Sequence, residues 1–299
     1  MKGTVEQPEG SRLFQARRAS EGTREGVPRR RVGLVCGSAY FRFGRTASIS
    51  SRHASSFGRI AAAVAESLEA SLKRMGREQV DIFHLHNAIT VNAGGESLSA
   101  KAVLEEVAPA FEKLREQGKV RFLGITAVGD TPALHRVIGS ERFVSAQVSY
   151  NMLNPSAGEA LPANYPAQDY GRMFDHTQAA GVGVVGIRVL AGGALSGTAE
   201  RHPIASPPPD PIGSAISYDA DLQRAQRLMP LVQQGYADSL AEAAIRFAIS
   251  HQAMGTILVG MATPEQFEQS LAAVNKGPLS QTALQSLVAL QRGFAGERR

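Results

Sequence analysis

The sequence predicts an α/β fold in which a parallel sheet is wrapped by helices. Three observations carry that expectation. From about residue 56 onward, short apolar runs of strand length alternate with longer segments of helical period. Gly, Pro, Ser or Thr stands where most of those helical segments begin or end. At 299 residues and 43% apolar composition, the chain can bury a core the size of one (β/α)8 barrel, which needs about 250 residues.

The first helix is expected over 57–75. Ser55 and Ser56 are capping residues, Ile60, Val64, Leu68 and Leu72 recur every fourth position, and Gly76 is the stop. The short apolar run from Val80 to Leu85 then predicts a buried strand over 80–86. A helix over 99–117 ends at Gly118 and leads into a strand over 120–125. Thr131-Pro132 opens the next helix, with Thr131 as N-cap and Pro132 at the first helical position, where a missing N–H costs nothing. Further strands are expected over 144–148, 182–187 and 256–260. Helices are expected over 168–179 (stopped by Gly181), 219–235 and 240–251, from Pro264, and over 280–293; a Gly-, Pro- and Ser-rich loop fills 191–216. Strands separated by helices of this length make βαβ units and pair in parallel. The alternation alone leaves a closed barrel and a doubly wound sheet both open. No G-x-G-x-x-G opens a helix after a strand: Gly192-Gly193-Ala194-Leu195-Ser196-Gly197 comes late and feeds the long loop, which weakens the doubly wound reading.

The first 55 residues differ in character. They hold ten Arg and one Lys against four Glu, a net +7, whereas the remainder is −2. The overall +5 is therefore a local property, and the globular part is nearly neutral. Only Val32 to Cys36 is apolar enough for a strand, so a basic, mostly disordered segment over 1–55 is expected ahead of one domain over 56–299. A basic tail for nucleic acid and an organelle-targeting peptide are the other readings of 1–55; Glu6, Glu9, Glu21 and Glu25 count against the second. Cys36 is the sole cysteine, which excludes an intrachain disulfide, and the seven His lack the close pairing of a helical zinc motif. No metal is expected, and a reducing, cytoplasmic setting fits. Arg, Glu, Gln or Ser interrupts every apolar run before the roughly 18 residues a membrane helix needs.

Five collinear segments decide between the two sheet types. Ser71-Leu72-Lys73-Arg74-Met75-Gly76, then Val80 to Leu85, His86 and Asn87, is similar to a helix ending S-L-x-R-L-G and a strand closing in L-L-H. Phe111-Glu112-Lys113-Leu114 through Gly118-Lys119-Val120-Arg121-Phe122-Leu123-Gly124-Ile125-Thr126 is similar to G-K-V-R-x-I-G-V-S, and Gln147-Val148-Ser149-Tyr150-Asn151 to Q-x-x-Y-N. Gly181-Val182-Gly183-Val184 to Leu190-Ala191-Gly192-Gly193, and Ser239-Leu240-Ala241 to Pro264-Glu265-Gln266-Phe267-Glu268, complete the set. In this order the segments resemble the fourth to eighth strands, with their helices, of the aldo-keto reductase family.

The resemblance implies a (β/α)8 barrel of TIM type, incomplete at its N-terminal strands, with at least two of eight missing and 32–36 as one extra strand. It implies NADPH as cofactor, with NAD as the alternative, and reduction of an aldehyde or ketone to an alcohol. By the same resemblance His86 takes the catalytic histidine position, while His84, on the same strand face, packs or bonds locally. Thr126 stands for a nicotinamide-side serine and Gln147 for the glutamine that holds the carboxamide. Arg188, Leu190 and Gly192 lie at the diphosphate, and Gly260, Gln266 and Gln269 at the adenosine end. Ile187 replaces the usual stacking aromatic and Ser270 the usual Asn, and Asn151 serves either the site or a turn.

The family's acid is a tyrosine supported by Lys and Asp, since a phenol near pKa 10 needs a close cation to act at neutral pH. Here no Asp precedes Asp81, no Lys lies between Lys2 and Lys73, and Tyr40 is the only Tyr before Tyr150. Impaired activity is therefore expected. The competing readings are a non-catalytic nucleotide-binding or regulatory barrel, and a reductase fragment whose first 55 residues come from a wrong start or a shifted frame.

Overall fold

Short apolar runs became strands and amphipathic runs became helices in the computed structural model, which describes residues 33–34 and 59–297. The strands are β1 (Gly33–Leu34), β2 (Val80–Leu85), β3 (Ile89–Thr90), β4 (Leu98–Ser99), β5 (Val120–Ala127), β6 (Ser145–Ser149), β7 (Gly183–Ile187) and β8 (Met254–Ile257). Six of them form one parallel sheet in the order β1-β8-β7-β6-β5-β2, and β3 pairs with β4. From β2 through β5, β6, β7 and β8, each strand adds to the same side of its predecessor. A doubly wound sheet must reverse direction at a switch point; this one does not. The earliest strand instead sits against the last, Gly33 opposite Thr256 and Leu34 opposite Ile257, as it does when a barrel closes on itself. The fold is thus α/β and of partial TIM-barrel type, and all five expected strands are present. All described residues lie within one compact unit, Val32–Arg299.

The helices are α1 (Arg59–Met75), α2 (Ala100–Ala102), α3 (Ala108–Glu116), α4 (Thr131–Ile138), α5 (Met173–Ala179), α6 (Tyr218–Gln226), α7 (Pro230–Gln233), α8 (Leu240–Ala248), α9 (Pro264–Asn275) and α10 (Gln281–Arg292). The every-fourth stripe of α1 is fully inward: Ile60, Val64, Leu68 and Leu72 are all buried. Its expected start at Phe57 and its Ser55-Ser56 cap lie outside the described residues, as do Tyr40 and residues 32, 35 and 36 of the expected early strand.

Four helical expectations are corrected. The helix expected over 99–117 contains a π-turn, Val103–Val107, between α2 and α3. A π-turn disturbs the regular carbonyl pattern, and Arg142 Nη1 donates to the Leu104 carbonyl at 2.6 Å while its Nε pairs with Glu112 at 2.9 Å. The helix expected over 168–179 begins only at Met173, because Arg172 takes a left-handed φ of 54°. The helix expected over 219–235 breaks between α6 and α7, where Pro230 lacks the N–H needed to continue. Thr131 is not a cap: Asp130 precedes the first turn, and the Thr131 hydroxyl donates to the Asp169 carbonyl at 2.7 Å.

Aromatic rings tie the helical layer to the sheet. Phe111 of α3 lies 4.7 Å from the Phe83 ring of β2 and 6.3 Å from Phe143, and Tyr150 stacks on Phe247 of α8 at 4.8 Å. On the opposite face, Ile82 and Phe122 are cross-strand neighbours and remain 36% and 44% exposed. β2, which carries Ile82, is the outer strand on this side of the sheet among the described residues. Among the described residues no helix is long and apolar enough to cross a membrane.

Candidate active site

Parallel strands in register bring their C-terminal ends to one edge, and that edge gathers the expected residues. Thr126 of β5 is opposite Gln147 of β6, and His86 follows the last residue of β2. His86 Nδ1 lies 2.9 Å from Thr126 Oγ1, and the Thr126 hydroxyl donates to Gln147 Oε1 at 3.2 Å. A hydroxyl has one proton. With that proton on Gln147, Thr126 accepts from His86, which puts hydrogen on Nδ1. His86 Nε2 then donates to a carbonyl oxygen only as the imidazolium. Thr126 is 2% exposed, whereas His86 is open to solvent, so the row runs from a buried anchor to an accessible ring.

A second polar pair lies one layer deeper. His84 Nε2 is 3.1 Å from Ser145 Oγ, across Gly124, which pairs with both residues. A Cβ at Gly124 would stand 2.4 Å from His84 Cδ2, so only glycine lets the ring cross. Burial first, and His86 second, lower the His84 pKa from 6.5 to about 4. The folded chain therefore keeps His84 neutral where the unfolded chain charges it. Between about pH 6.5 and 4 the unfolded state binds more protons, and this contribution to stability is lost as pH falls through that window. His84→Gln keeps a hydrogen-bonding group for Ser145 but cannot titrate. The stability advantage of wild type over His84→Gln, from urea melts, should shrink as pH drops from 6.5 to 4; a pH-independent difference would show that His84 is not held neutral.

At the end of β7 the chain turns tightly. Arg188 has φ 57°, and its carbonyl accepts from Asn151 Nδ2 at 2.9 Å and from the Ala191 N–H at 2.8 Å. Asn151 Oδ1 also accepts from the N–H groups of Leu153 and Asn154, so Asn151 is a turn residue that holds this corner. Leu190 is half-buried against the core, and Gly192 and Gly193 take φ of 69° and 107°. Arg201 Nη1 donates to the Gly192 carbonyl at 2.8 Å and to the Tyr218 hydroxyl at 3.1 Å, and a Cβ on Gly193 would come within 2.5 Å of it. Glycine is required both for the backbone and for the close guanidinium.

Beyond β8, Gly260 is exposed, and a Cβ built on it would meet no atom within 4 Å. Thr263 Oγ1 accepts from the Gln266 N–H at 3.3 Å while Gln266 Oε1 accepts from the Ala262 N–H at 2.7 Å, a reciprocal cap at the start of α9. Gln269 lies one turn on and is exposed; Ser270 is buried, with its hydroxyl on the Gln266 carbonyl. Three groups therefore follow one another along the edge: His86, Thr126 and Gln147 in direct contact, then Arg188, Leu190 and Gly192 on one turn, then Gly260, Gln266 and Gln269 at α9.

Sequence reasoning missed the cluster behind the β7 turn. Asp221 of α6 is fully buried and accepts from the Ser214 hydroxyl at 2.6 Å, and Arg224 donates to the carbonyls of Pro166 and Ser214, both at 2.9 Å. The hint was an acidic residue at an inward position of a short helix, but its partners come from a loop with no periodic signal. Among the described residues, no group of three or more His, Cys, Asp or Glu is placed to hold a metal ion.

Comparison with known proteins gives one consistent answer. A family model described as the Aldo/keto reductase family matches residues 47–292. L-galactose dehydrogenase of Arabidopsis thaliana is 27% identical over 231 residues, which cover 75% of this chain and 62% of that protein. L-glyceraldehyde 3-phosphate reductase of Escherichia coli K12 is 25% identical over 225 residues, covering 70% of this chain and 57% of that enzyme. The chain thus spans less than two thirds of the length of these relatives. Among solved structures, the holo form of aldo-keto reductase AKR11C1 from Bacillus halodurans superimposes with a TM-score of 0.54 at 21% identity, covering 77% of this chain and 65% of that one.

Proposed function

The chain belongs to the aldo/keto reductase family, an oxidoreductase family, and from that premise we propose that its site is built for NADPH-dependent reduction of an aldehyde or ketone to an alcohol. NAD is the alternative cofactor. The observation that carries the reading is the His86–Thr126–Gln147 row at the C-terminal ends of three adjacent strands, the face where barrel enzymes keep their chemistry. A bound reduced nicotinamide would supply a hydride to the carbonyl carbon. In this reading His86 orients the carbonyl oxygen, and Gln147 and Thr126 hold the carboxamide. Arg188 faces the diphosphate, with Leu190 and Gly192 at its side, and Gly260, Gln266 and Gln269 bound the adenosine. The exposed Gly260 and the sharp glycine turn support a dinucleotide laid across the edge in this reading. Gln266 and Gln269 are neutral, so selection of a 2′-phosphate by this pair is modest. We assign the site to a domain over 56–299, with Gly33–Leu34 as the part of the preceding segment that joins its sheet.

A second reading, a nucleotide-binding barrel without turnover, is favoured by one specific observation: no Asp precedes Asp81 and no Lys lies between Lys2 and Lys73. Titration with NADPH, followed by its fluorescence, tests the cleft. Binding weaker than low micromolar is expected, because the first 55 residues do not match the family's early strands, whose contacts complete the cleft in this reading; low-micromolar affinity would overturn the picture of a broken cleft. Thr126→Val, which keeps volume but leaves Gln147 and His86 without their shared partner, should cost about 1–2 kcal/mol of that affinity, roughly tenfold. Unchanged affinity would remove Thr126 from the site.

A further inference from the structure

Asp221 is 0% exposed and carries an unusual burden for a buried carboxyl. Oδ2 accepts from Ser214, but Oδ1 is buried with no hydrogen-bond partner. Its helix, α6, packs directly on the turn 191–196 that carries Gly192 and Gly193. The charged and titratable groups around it come from every neighbouring element. Arg224 lies on α6 itself, Arg188 at the end of β7, Tyr165 on the loop after β6, and Glu297 beyond α10 pairs with Arg224; Arg201 and Tyr218 stand on the turn side. Arg224 is already committed to two carbonyls and to Glu297. Arg188 stands at the same turn, its Nη1 3.5 Å from where a Cβ on Gly192 would lie, and its charge also acts on Asp221.

We propose that Asp221 is a proton-coupled counter-charge for Arg188, so that a diphosphate anion bound at the Gly192–Gly193 turn draws on Arg188 and Asp221 takes up a proton as the anion binds. The inference rests on the reading of Arg188 and this turn as the diphosphate subsite. A buried carboxylate with one unpartnered oxygen is costly to keep charged unless a cation is close. Burial already lifts the Asp221 pKa from 3.8 to about 6, while Ser214, then Arg224, then Arg188 hold it down. An anion bound at Arg188 offsets that cation's field at Asp221, which pushes the carboxyl further toward its protonated form. Affinity for the anion is then greatest below about pH 6 and declines as pH rises through that value. The decline is about tenfold for each unit by which the anion raises the carboxyl's pKa. Asp221 thus acts as a positioning residue that never touches the reacting atoms.

The probe is ADP-ribose, whose diphosphate has no proton that titrates in this range. Calorimetry from pH 5.5 to 8, in buffers of different ionisation enthalpy, should show net proton uptake by the full chain and affinity falling with pH. Asp221→Asn should abolish both the uptake and the pH dependence, and at pH 8 it should bind at least as tightly as wild type. Independently of that variant, the Asp221 side-chain carboxyl signal in the carbon NMR spectrum should titrate at higher pH when ADP-ribose is bound. Binding without proton uptake, uptake that survives Asp221→Asn, or an unmoved titration midpoint would overturn the coupling while leaving the diphosphate subsite intact. No binding by wild type at any pH would overturn the subsite reading and the coupling together.

Discussion

NADPH oxidation by this chain, with a broad panel of aldehydes, quinones and ketones, is expected to run at least about a thousandfold below that of an intact reductase. The expectation follows from what the transition state would lack. Hydride delivery leaves negative charge on the carbonyl oxygen, and general acid catalysis of its neutralisation is worth roughly 10²–10⁴ in rate; loss of preorganised electrostatics removes a similar factor. His86 is accessible at the strand ends and can polarise a carbonyl. One imidazole, tied through Nδ1 to Thr126, does not replace an acid together with its lysine and aspartate. A family-like N-terminal part ahead of residue 57, with its Asp, Tyr and Lys, should restore turnover, and His86→Ala should then lower it by about 10². Robust turnover by the chain as it stands, abolished by Tyr40→Phe, would identify Tyr40 as the acid and reverse this account.

The largest stability effect is expected at Phe111. Its ring is fully buried between Phe83 of β2 and Phe143 at the entry to β6, so it joins α3 to two strands. Removing a buried phenyl loses its transfer free energy and leaves a cavity, and Phe111→Ala should cost about 3–5 kcal/mol. Against a total stability on the order of 5–15 kcal/mol, that is a large share of what keeps the chain folded. Urea denaturation followed by far-ultraviolet circular dichroism would register the loss as a lower midpoint. Phe111→Leu, which keeps most of the volume, should lie between the two. A loss below about 1 kcal/mol for the alanine variant would mean that the cluster repacks without strain.

Much of the architecture was legible in the chain because its signals are local. The every-fourth stripe of α1 and the apolar run of β2 depend only on neighbours in sequence, and each became the element expected. The motif positions were legible for a related reason: His86, Thr126 and Gln147 stand at fixed offsets from strand ends, so naming the strands placed the residues at one edge. Boundaries were less legible where a distant contact overrides local preference. The π-turn before α3 is partnered by Arg142 from 38 residues away, and the late start of α5 reflects a backbone turn at Arg172 that no periodicity encodes.

By itself, then, the sequence determined the alternation of strands and helices and, through it, the parallel sense of the strands. Tertiary structure alone decided the rest. The contact between His86 and Thr126, 40 residues apart, exists because β2 and β5 pair in one register, and a shift of one residue would put the two side chains on opposite faces of the sheet. The passage of His84 over Gly124 to Ser145 depends on three strands at once, and the enclosure of Asp221 depends on a helix, a loop and a strand end that share no sequence period. Local pattern specifies which face of an element is apolar, but only packing specifies which faces meet, and pairing across the sheet is where this site's polar contacts are made.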